Sequence, residues 1–447
     1  MDSRRIRKTA AIRPAGVGNR RGTCCRRSFP RRSVNPILRS LLLFALSVLA
    51  AGGLPVFAET EVRSNLEFYN SAYRGRDNSW YYRGSGMADI RFASVGNNRM
   101  RAEAAVEFYP VDLSGGSSVA SVPALDLKRF WIKANFPSWR LTAGKTKLAW
   151  GNGYVFNSGD ILFGSLTPYL DFTQSAIRDD TAWLTAFNIP TGDFSYIEAV
   201  VLPPNILLRG GELEVQSIDR TSGGARFVGR AGGWQLEAGY LYKGDSKVGT
   251  DLLGSRPYLA VHGHAGVDVY AGASLAAGKD GDAGVNRDSW KKISKTVNFS
   301  LGAFHQIQTG YDSTLTMRLE ALIMPWQNWA PRNYQEVLDG DAGYYGIMLY
   351  PEVSWMLRST WFTRLQSVIS PVDASAQITT TFGWYVFQGF TLLGIVVVNA
   401  GDEQSLFAWD RSGAWPLYPP GHPEGGSEWK DYEFNGVNIT LGARYSF

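Results

Sequence analysis

The final segment of the chain constrains its fold most, because apolar and polar residues alternate through it without interruption. The apolar residues are Val437, Ile439, Leu441, Ala443, Tyr445 and Phe447, and the polar ones are Asn438, Thr440, Gly442, Arg444 and Ser446. A period of two residues is that of a β-strand, in which successive side chains point to opposite faces. The segment is therefore predicted to be a strand with one apolar and one polar face.

The same alternation recurs from Glu59 onward in segments of roughly ten residues, the length of a membrane-spanning strand. Charged positions in two of these segments are Arg99, Arg101, Glu103 and Glu107, and Arg318 and Glu320. An Arg facing lipid at mid-bilayer costs about 2 to 4 kcal/mol, so this face must point away from lipid. Because a backbone in lipid is satisfied only in a helix or a closed sheet, the pattern predicts an all-β, antiparallel transmembrane β-barrel. A soluble β-sandwich or a secreted β-helix is the alternative fold.

Turn and loop signals divide residues 59–447 into strands of one barrel domain. Short connections are predicted at 95–98, 137–138, 190–193, 232–233, near 265, and at 309–312, 358–359 and 388–389. Long polar connections are predicted at 149–180, 203–222, 278–295, 326–344 and 400–432. With both ends of the chain on the periplasmic side, this pattern gives about 18 strands with short periplasmic turns and long outer loops. The strand near Tyr258 to Gly263 has the weakest signal, and without it the count is about 16.

Residues 1–58 differ in composition and are expected to be a signal peptide with an unusually long basic region. Arg-rich sequence occupies residues 1–39, an apolar run follows at 41–51, and residues 56–58 resemble a cleavage site. Of the chain's 45 Lys and Arg residues, 12 lie in this leader with one of the 40 acidic residues, which leaves 33 basic and 39 acidic residues in 59–447. The resulting formal charge of −6 removes the case for nucleic-acid binding that the basic whole chain would make. Both cysteines also lie in the leader, so no disulfide is expected in the barrel.

Two short stretches resemble known families. The strand that ends with Tyr445 and Phe447 is similar to the assembly signal that the barrel-assembly machinery reads in outer-membrane β-barrel proteins of diderm bacteria. Residues 143–160 resemble a Gly-Arg-Gln-x-x-x-Trp-Gly segment, followed by Asn and Asp, of several porin-like barrels, with Lys145 and Thr146 in place of Arg and Gln. The resemblance implies an outer-membrane location, with lipid, lipopolysaccharide and the assembly machinery as partners.

The long segment that begins near Trp150 is a candidate constriction loop. Glycines at 144, 151 and 153 permit a sharp change of direction, which would let residues 149–180 fold into the barrel and narrow it. The residues placed near the constriction by this hypothesis are Trp150, Asp160, Arg178, Asp179 and Asp180. In the alternative, Trp150 anchors at the membrane interface and the loop only covers the barrel rim.

The polar faces of the strands supply the candidate lumen lining. Its charged residues are Arg99, Arg101, Glu103, Glu107, Arg140, Arg226, Arg230, Glu237, Arg318, Glu320, Arg364 and Arg444. An excess of Arg along an aqueous channel would favour anionic solutes. The alternative is that Arg and Glu on neighbouring strands pair and brace the wall.

No residue pattern of an enzyme or a cofactor site stands out, so neither is predicted. His262 and His264 share one side of a predicted strand without a third metal ligand. The sequence Asp-Gly-Asp-Ala-Gly occurs at 280–284 and 339–343, but without the glycine register of a calcium-binding loop. Polar residues at strand and loop ends account for both features.

A barrel of about 16 to 18 strands leaves an aqueous interior. The sequence therefore predicts an outer-membrane, porin-like channel for passive passage of small hydrophilic solutes, with anionic solutes favoured. The alternatives are a non-conducting barrel whose outer loops act as adhesin or receptor, and a component of polysaccharide export. Residues 400–432, which hold three Trp and four Pro, would then be the binding surface.

Overall fold

The fold is a closed antiparallel β-barrel of 18 strands, as predicted. A computed structural model describes residues 59–75, 80–95, 99–109, 124–163, 181–204, 206–209, 212–215, 218–244, 254–276, 297–331, 345–402, 405–407 and 434–447. The predicted leader, both Asp-Gly-Asp-Ala-Gly sequences and most of residues 400–432 lie outside the described residues.

The barrel strands follow one another in chain order. They are β1 (Glu59–Gly75), β2 (Trp80–Val95), β3 (Met100–Tyr109), β4 (Ala124–Asn135), β5 (Arg140–Thr146), β6 (Ala182–Gly192), β7 (Ser195–Leu202), β10 (Ser222–Ala231), β11 (Trp234–Lys243), β12 (Gly254–His264), β13 (Asp268–Ser274), β14 (Asn298–Gly310), β15 (Ser313–Ile323), β16 (Ile347–Leu357), β17 (Trp361–Ser370), β18 (Ser375–Phe387), β19 (Phe390–Ala400) and β20 (Phe434–Ser446). A separate hairpin, β8 (Ile206–Arg209) with β9 (Glu212–Val215), and a 3-10 turn at Ile218–Arg220 lie between β7 and β10. The weakly signalled strand near Tyr258 is part of β12, which fixes the count at 18.

The last strand closes the barrel against the first. β20 pairs with β1 in a register that runs from Asn65 opposite Ser446 to Tyr73 opposite Asn438. At the end of the chain, the Phe447 N–H donates to the Ser64 carbonyl at 2.9 Å, and the Ser64 N–H donates to the Phe447 carbonyl at 2.8 Å. Because both edge strands are paired, the described sheet leaves no open edge, which a structure in lipid requires.

The connections divide the barrel into two unlike ends. Short turns join strands at 136–139, 193–194, 232–233, 265–267, 311–312, 358–360 and 388–389, where the sequence predicted them. We call this the turn end and the opposite one the loop end. The strands that flank the long predicted connections end at the loop end, where β17 and β18 are also joined by a short connection at 371–374.

Strand register separates an apolar outer face from a mixed inner face. Large apolar side chains on the outer face are solvent-exposed and include Phe68, Phe92, Phe130, Phe187, Ile197, Phe227, Leu259, Leu301, Leu319, Val353, Leu365, Phe382, Val396, Ile439 and Leu441. Among the paired residues of the described strands, charged side chains on the outer register occur only at loop-end positions, Arg74 and Lys145. An uncharged belt of this kind matches the hydrocarbon region of a bilayer.

Aromatic rings collect on the barrel near the turn end. Trp361 and Trp384 stack with ring centroids 4.7 Å apart, and Phe387 and Phe390 do so at 4.9 Å. Tyr445 and Phe447, the predicted assembly signal, stack at 5.3 Å. Such rings suit the headgroup level of a membrane, where one side of the ring is wet.

Candidate functional site

The chain leaves the barrel wall at the end of β5. Gly144 has a φ of 128°, and a Cβ there would lie 2.0 Å from the carbonyl oxygen of Phe130 on β4. Only glycine permits this approach. β5 ends at Thr146, and shortly afterwards Trp150 is completely buried.

Residues 150–163, which we call the inner loop, lie inside the barrel. They contact inward-facing side chains on β7, β11, β12, β14, β15 and β16. A short segment can reach an arc of strands this wide only by crossing the interior. Trp150, the first residue of this segment, is completely buried among these inward-facing side chains.

The first anchor of the inner loop is a charged cluster around Trp150. The Trp150 indole N–H donates to Glu198 on β7 at 3.0 Å, and the Gly151 N–H donates to Glu237 on β11 at 3.0 Å. Arg226 on β10 joins these two carboxylates, at 2.8 Å to each, and also donates to the Ala149 carbonyl at 3.1 Å. One guanidinium thus neutralises part of two buried negative charges and fixes the loop entry between them.

Aromatic contacts complete this anchor. The Arg226 guanidinium lies 5.6 Å from the Trp150 ring centroid, within range of a cation–π interaction. Tyr258 on β12 stacks on Trp150 at 5.7 Å and donates a short hydrogen bond from its hydroxyl to Glu237. Trp150 is therefore held by a hydrogen bond, a cation–π contact and a stacked ring.

The second anchor is Glu320 on β15. Its carboxylate accepts hydrogen bonds from the backbone N–H groups of Tyr154, Val155 and Phe156, each at 2.8 Å. The Tyr270 hydroxyl on β13 donates a further short hydrogen bond to it. Glu320 is completely buried, although the sequence predicted it as lumen lining.

The rest of the inner loop is fixed by its own turns and by two wall contacts. The Ser158 N–H donates to the Ser300 hydroxyl at 3.0 Å, and Arg256 donates to the Ile161 carbonyl at 3.3 Å. Asp160, a predicted constriction residue, accepts from the Phe163 N–H at 3.2 Å and is buried within this turn. The other predicted constriction residues, Arg178, Asp179 and Asp180, lie outside the described residues.

Apolar packing seals the inner loop against the wall in two clusters. Trp150, Ile161 and Leu162 pack on inward residues of β6, β7, β11 and β12, which are Ala182, Leu184, Ala186, Val200, Leu202, Leu241, Tyr258 and Ala260. Val155 and Phe156 pack on Leu322, Met324, Met348, Tyr350 and Val368 near the loop-end halves of β15 to β17. We call this part of the inner face the covered arc. Its apolar side chains are packed and buried like those in the core of a soluble protein.

The open arc is the inner face of β1–β4 and β20 together with Arg364 in the turn-end half of β17. Two of its arginines stay accessible inside the barrel, Arg364 at 39% and Arg91 at 35%, whereas the carboxylates of Glu67 and Glu107 are buried. Ion pairs across strands join Arg444 with Glu67 at 2.7 Å, Lys128 with Glu107 at 3.1 Å, Arg129 with Glu103 at 3.5 Å and Arg91 with Glu103 at 3.5 Å. Within β2, Arg91 also lies 3.7 Å from Asp89. Pairing and exposure therefore coexist on this side.

The two arcs meet at Arg318 on β15. Its guanidinium lies 3.6 Å from the ring centroid of Tyr154 in the inner loop and 3.4 Å from Glu352 on β16. Arg364 approaches the other oxygen of Glu352 at 3.7 Å. Two cations share one carboxylate here, and the carboxylate of Glu320 lies two positions from Arg318 on the same face of β15.

The predicted lumen residues fall into three groups. Arg226, Glu237 and Glu320 are buried under the inner loop. Glu103, Glu107, Arg318, Arg364 and Arg444 lie on or beside the open arc. Arg101, Arg140 and Arg230 are exposed near the turn end on the inner register, and Arg99 is exposed just before β3.

Several residues that build the site were not predicted from the sequence. Three glutamates, Glu67, Glu198 and Glu352, occupy inward register positions. Tyr258 and Tyr270, which bond to Glu237 and Glu320, do so as well. The alternation that identified Glu237 and Glu320 as inward also applies to Glu67, Glu198 and Glu352. Their role in binding a distant loop has no local sequence signal.

The histidines do not form a metal centre in the described chain. His264 lies 2.9 Å from Asp268 at the exposed turn end, and the described residues contain no cluster of three metal-ligating side chains. His305 is on the outer register opposite Met317. Within the described residues, no helix has the length and apolar character needed to cross a membrane.

A closed antiparallel barrel of 18 strands, with an uncharged outer belt and an inward loop, defines the porin-like class of β-barrels. Three solved structures are similar to this chain at low sequence identity. OccAB4 of Acinetobacter baumannii is 10% identical with a TM-score of 0.47, over 88% of this chain and 100% of that one. OpdQ of Pseudomonas aeruginosa is 10% identical with a TM-score of 0.47, over 87% and 99%. OpdK of Pseudomonas aeruginosa, solved with vanillate, is 11% identical with a TM-score of 0.46, over 87% and 98%. No protein-family model matches the sequence, and a search of curated proteins gives no significant match.

Proposed function

We propose that this protein is an outer-membrane channel for passive passage of small hydrophilic solutes, with anionic solutes favoured. The observation that carries the proposal is the open arc, where charged side chains remain accessible inside a closed barrel. Ion pairs that served only to brace the wall would not need to leave Arg364 and Arg91 more than one-third exposed. An aqueous path along the open arc accounts for their exposure.

The preference for anions rests on the position of the cations. At the junction of the arcs, Arg318 and Arg364 outnumber the carboxylate of Glu352 that they share. Arg101 and Arg140 add unshielded positive charge toward the turn end. A solute that passes the inner loop would meet a surplus of guanidinium groups, which bind carboxylates and phosphates in two-point contacts.

The location of the protein follows from the same proposal. Residues 1–58 would direct export and then be removed, and the assembly machinery would read the strand that ends at Phe447. The outer belt would contact lipid and the lipid part of lipopolysaccharide. Neither a cofactor nor an energy source is needed for passive passage.

Planar-bilayer recording of the protein purified from an outer-membrane fraction tests the proposal. We expect discrete conductance steps and a reversal potential, in a salt gradient, that indicates anion preference. Arg91→Glu should move the reversal potential toward cation preference, because it inverts one charge on the open arc. A correctly folded barrel without conductance would contradict the proposal and favour a binding role for the outer loops.

A further inference from the structure

The inner loop is held to β15 by the carboxylate of Glu320. Within the described residues Glu320 forms no ion pair, and the groups that contact its carboxylate directly are hydrogen-bond donors. Three of these hydrogen bonds come from consecutive backbone N–H groups of the loop, and one comes from Tyr270. A buried charge of this kind is tolerated only while its hydrogen-bond donors stay in place.

The first anchor differs from this arrangement. Glu198 and Glu237 both keep Arg226 as a partner whether or not the loop is present, because all three residues belong to the wall. Glu320, by contrast, depends on the loop for most of its hydrogen bonds, and residues 154–156 depend on Glu320 for theirs.

This dependence reaches the open arc through Tyr154. The Tyr154 N–H bonds to Glu320, while its ring stacks on the guanidinium of Arg318. Arg318 lies where the two arcs meet. Any movement of residues 154–156 away from β15 therefore changes the space between the inner loop and the open arc.

We propose that Glu320 is the positioning residue that holds the inner loop on β15 and thereby sets the width of the channel beside Tyr154. The inference rests on the proposed channel function for its effect on conductance, but the attachment of the loop can be measured separately. Removal of the carboxylate should release residues 154–156 without breaking the barrel, because the strand hydrogen bonds of β15 do not involve this side chain.

The decisive variant is Glu320→Gln. A glutamine side chain offers one acceptor oxygen and places an NH2 donor where the carboxylate had its second acceptor. Three N–H groups and a hydroxyl would then compete for one oxygen, and a donor would face a donor. The matched control is Glu352→Gln, since Glu352 is also a buried inward carboxylate but contacts Arg318, Arg364 and Tyr350 and no backbone N–H of the inner loop.

Loop position is read out with a cysteine reporter. Ser158 is completely buried in the inner loop, and cysteine is close to serine in size. Because both natural cysteines, Cys24 and Cys25, lie in the proposed leader, Ser158→Cys gives residues 59–447 a single thiol. A water-soluble thiosulfonate reagent is applied to the folded protein, and heat-modifiable migration in detergent gels checks that the barrel is intact. Single-channel conductance is recorded for the same variants.

We expect the thiol to be protected in the parent and in Glu352→Gln, and to react in Glu320→Gln. In that variant conductance should also rise, with added fluctuation between levels. Protection of the thiol in Glu320→Gln, equal reactivity in the control, or an unchanged conductance despite labelling would each overturn the inference. If the parent itself is silent, the channel proposal fails, while the labelling still decides whether Glu320 holds the loop. Should Glu320→Gln fail to form a barrel, Glu320→Asp retains the charge but shortens its reach, and the same two readouts apply.

Discussion

The guanidinium of Arg318 lies face-on over the ring of Tyr154, 3.6 Å from its centroid. This contact joins the barrel wall to the inner loop at the point where the covered arc gives way to the open arc. It also holds a positive charge at the proposed solute path, because the carboxylate of Glu352 is shared with a second arginine.

Neutralising Arg318 should therefore change ion selectivity. We expect Arg318→Met to shift the reversal potential toward cations, and Arg318→Lys to shift it less, because lysine keeps the charge but loses the planar stack. Bilayer recordings in a salt gradient measure both. Arg74→Gln, which removes a positive charge from the outer register at the loop end, is the control and should leave selectivity unchanged; an equal shift there would contradict a local role for Arg318.

Removal of Arg226 should destabilise the barrel strongly. In Arg226→Met the carboxylates of Glu198 and Glu237 stay buried without their shared cation, and breaking a buried pair of this type costs about 3 to 5 kcal/mol. Urea unfolding in lipid vesicles measures the loss in free energy of unfolding. Arg364→Gln, whose ion pair is partly exposed, should cost below about 1 kcal/mol. Similar losses for the two variants would argue against the covered arc as a structural core.

Gly144→Ala should impair the pairing of β4 with β5. A residue with a Cβ at a φ of 128° is strained by about 1 to 3 kcal/mol, and the Cβ would also overlap the Phe130 carbonyl. We expect a smaller folded fraction by heat-modifiable gel migration. Gly394→Ala on β19 is the matched control, since a Cβ there meets nothing within 4 Å; it should be neutral, and a comparable loss there would mean that strand glycines matter for another reason.

A charged residue introduced on the outer belt should lower the free energy of unfolding more than one introduced on the inner face of the barrel. Leu319 faces outward on β15, whereas Thr316 on the same strand faces inward. Leu319→Arg places a cation in the hydrocarbon region and should lower the free energy of unfolding by about 2 to 4 kcal/mol. Thr316→Arg should cost much less. Vesicle-based unfolding titrations compare the two, and equal costs would place this part of β15 outside the bilayer.

Phe447 should act in assembly through its ring and in stability through its backbone. Phe447→Ala keeps both hydrogen bonds to Ser64 and removes only the stacking on Tyr445. We expect slower insertion by the assembly machinery with a nearly unchanged unfolding free energy once folded. Deletion of Phe447 also removes the two backbone hydrogen bonds to Ser64, so it should reduce both the insertion rate and the free energy of unfolding. Unaltered insertion kinetics in the alanine variant would contradict the proposed signal.

The barrel could be predicted because each strand of a membrane wall shows its inner and outer faces in the alternation of neighbouring residues. Alternation assigned the inward positions, and turn signals such as the glycine pair 232–233 marked the connections, so a count of about 18 strands followed. The weakest predicted strand, near Tyr258, is part of β12.

The path of the inner loop was not predictable to the same degree. Glycines suggested that residues after Thr146 turn, but the bonds that fix them link Trp150 to Glu198 and Tyr154 to Glu320, which are 48 and 166 positions apart in the chain. Nothing in the alternation distinguishes an inward carboxylate that meets water from one that meets backbone N–H groups. Burial under the loop therefore separates Glu320 from Arg364, although both satisfy the same rule.

The unequal coverage of the inner face has a consequence for how such a barrel can diversify. Residues on the covered arc contact one another and the inner loop, so most substitutions there lower the stability of the folded barrel. Charged side chains on the open arc pair with one another and, within the described residues, form no ion pair with the inner loop, so they can change in small sets without moving the loop. A new solute preference can thus arise by drift along one side of the wall while the other side preserves the architecture.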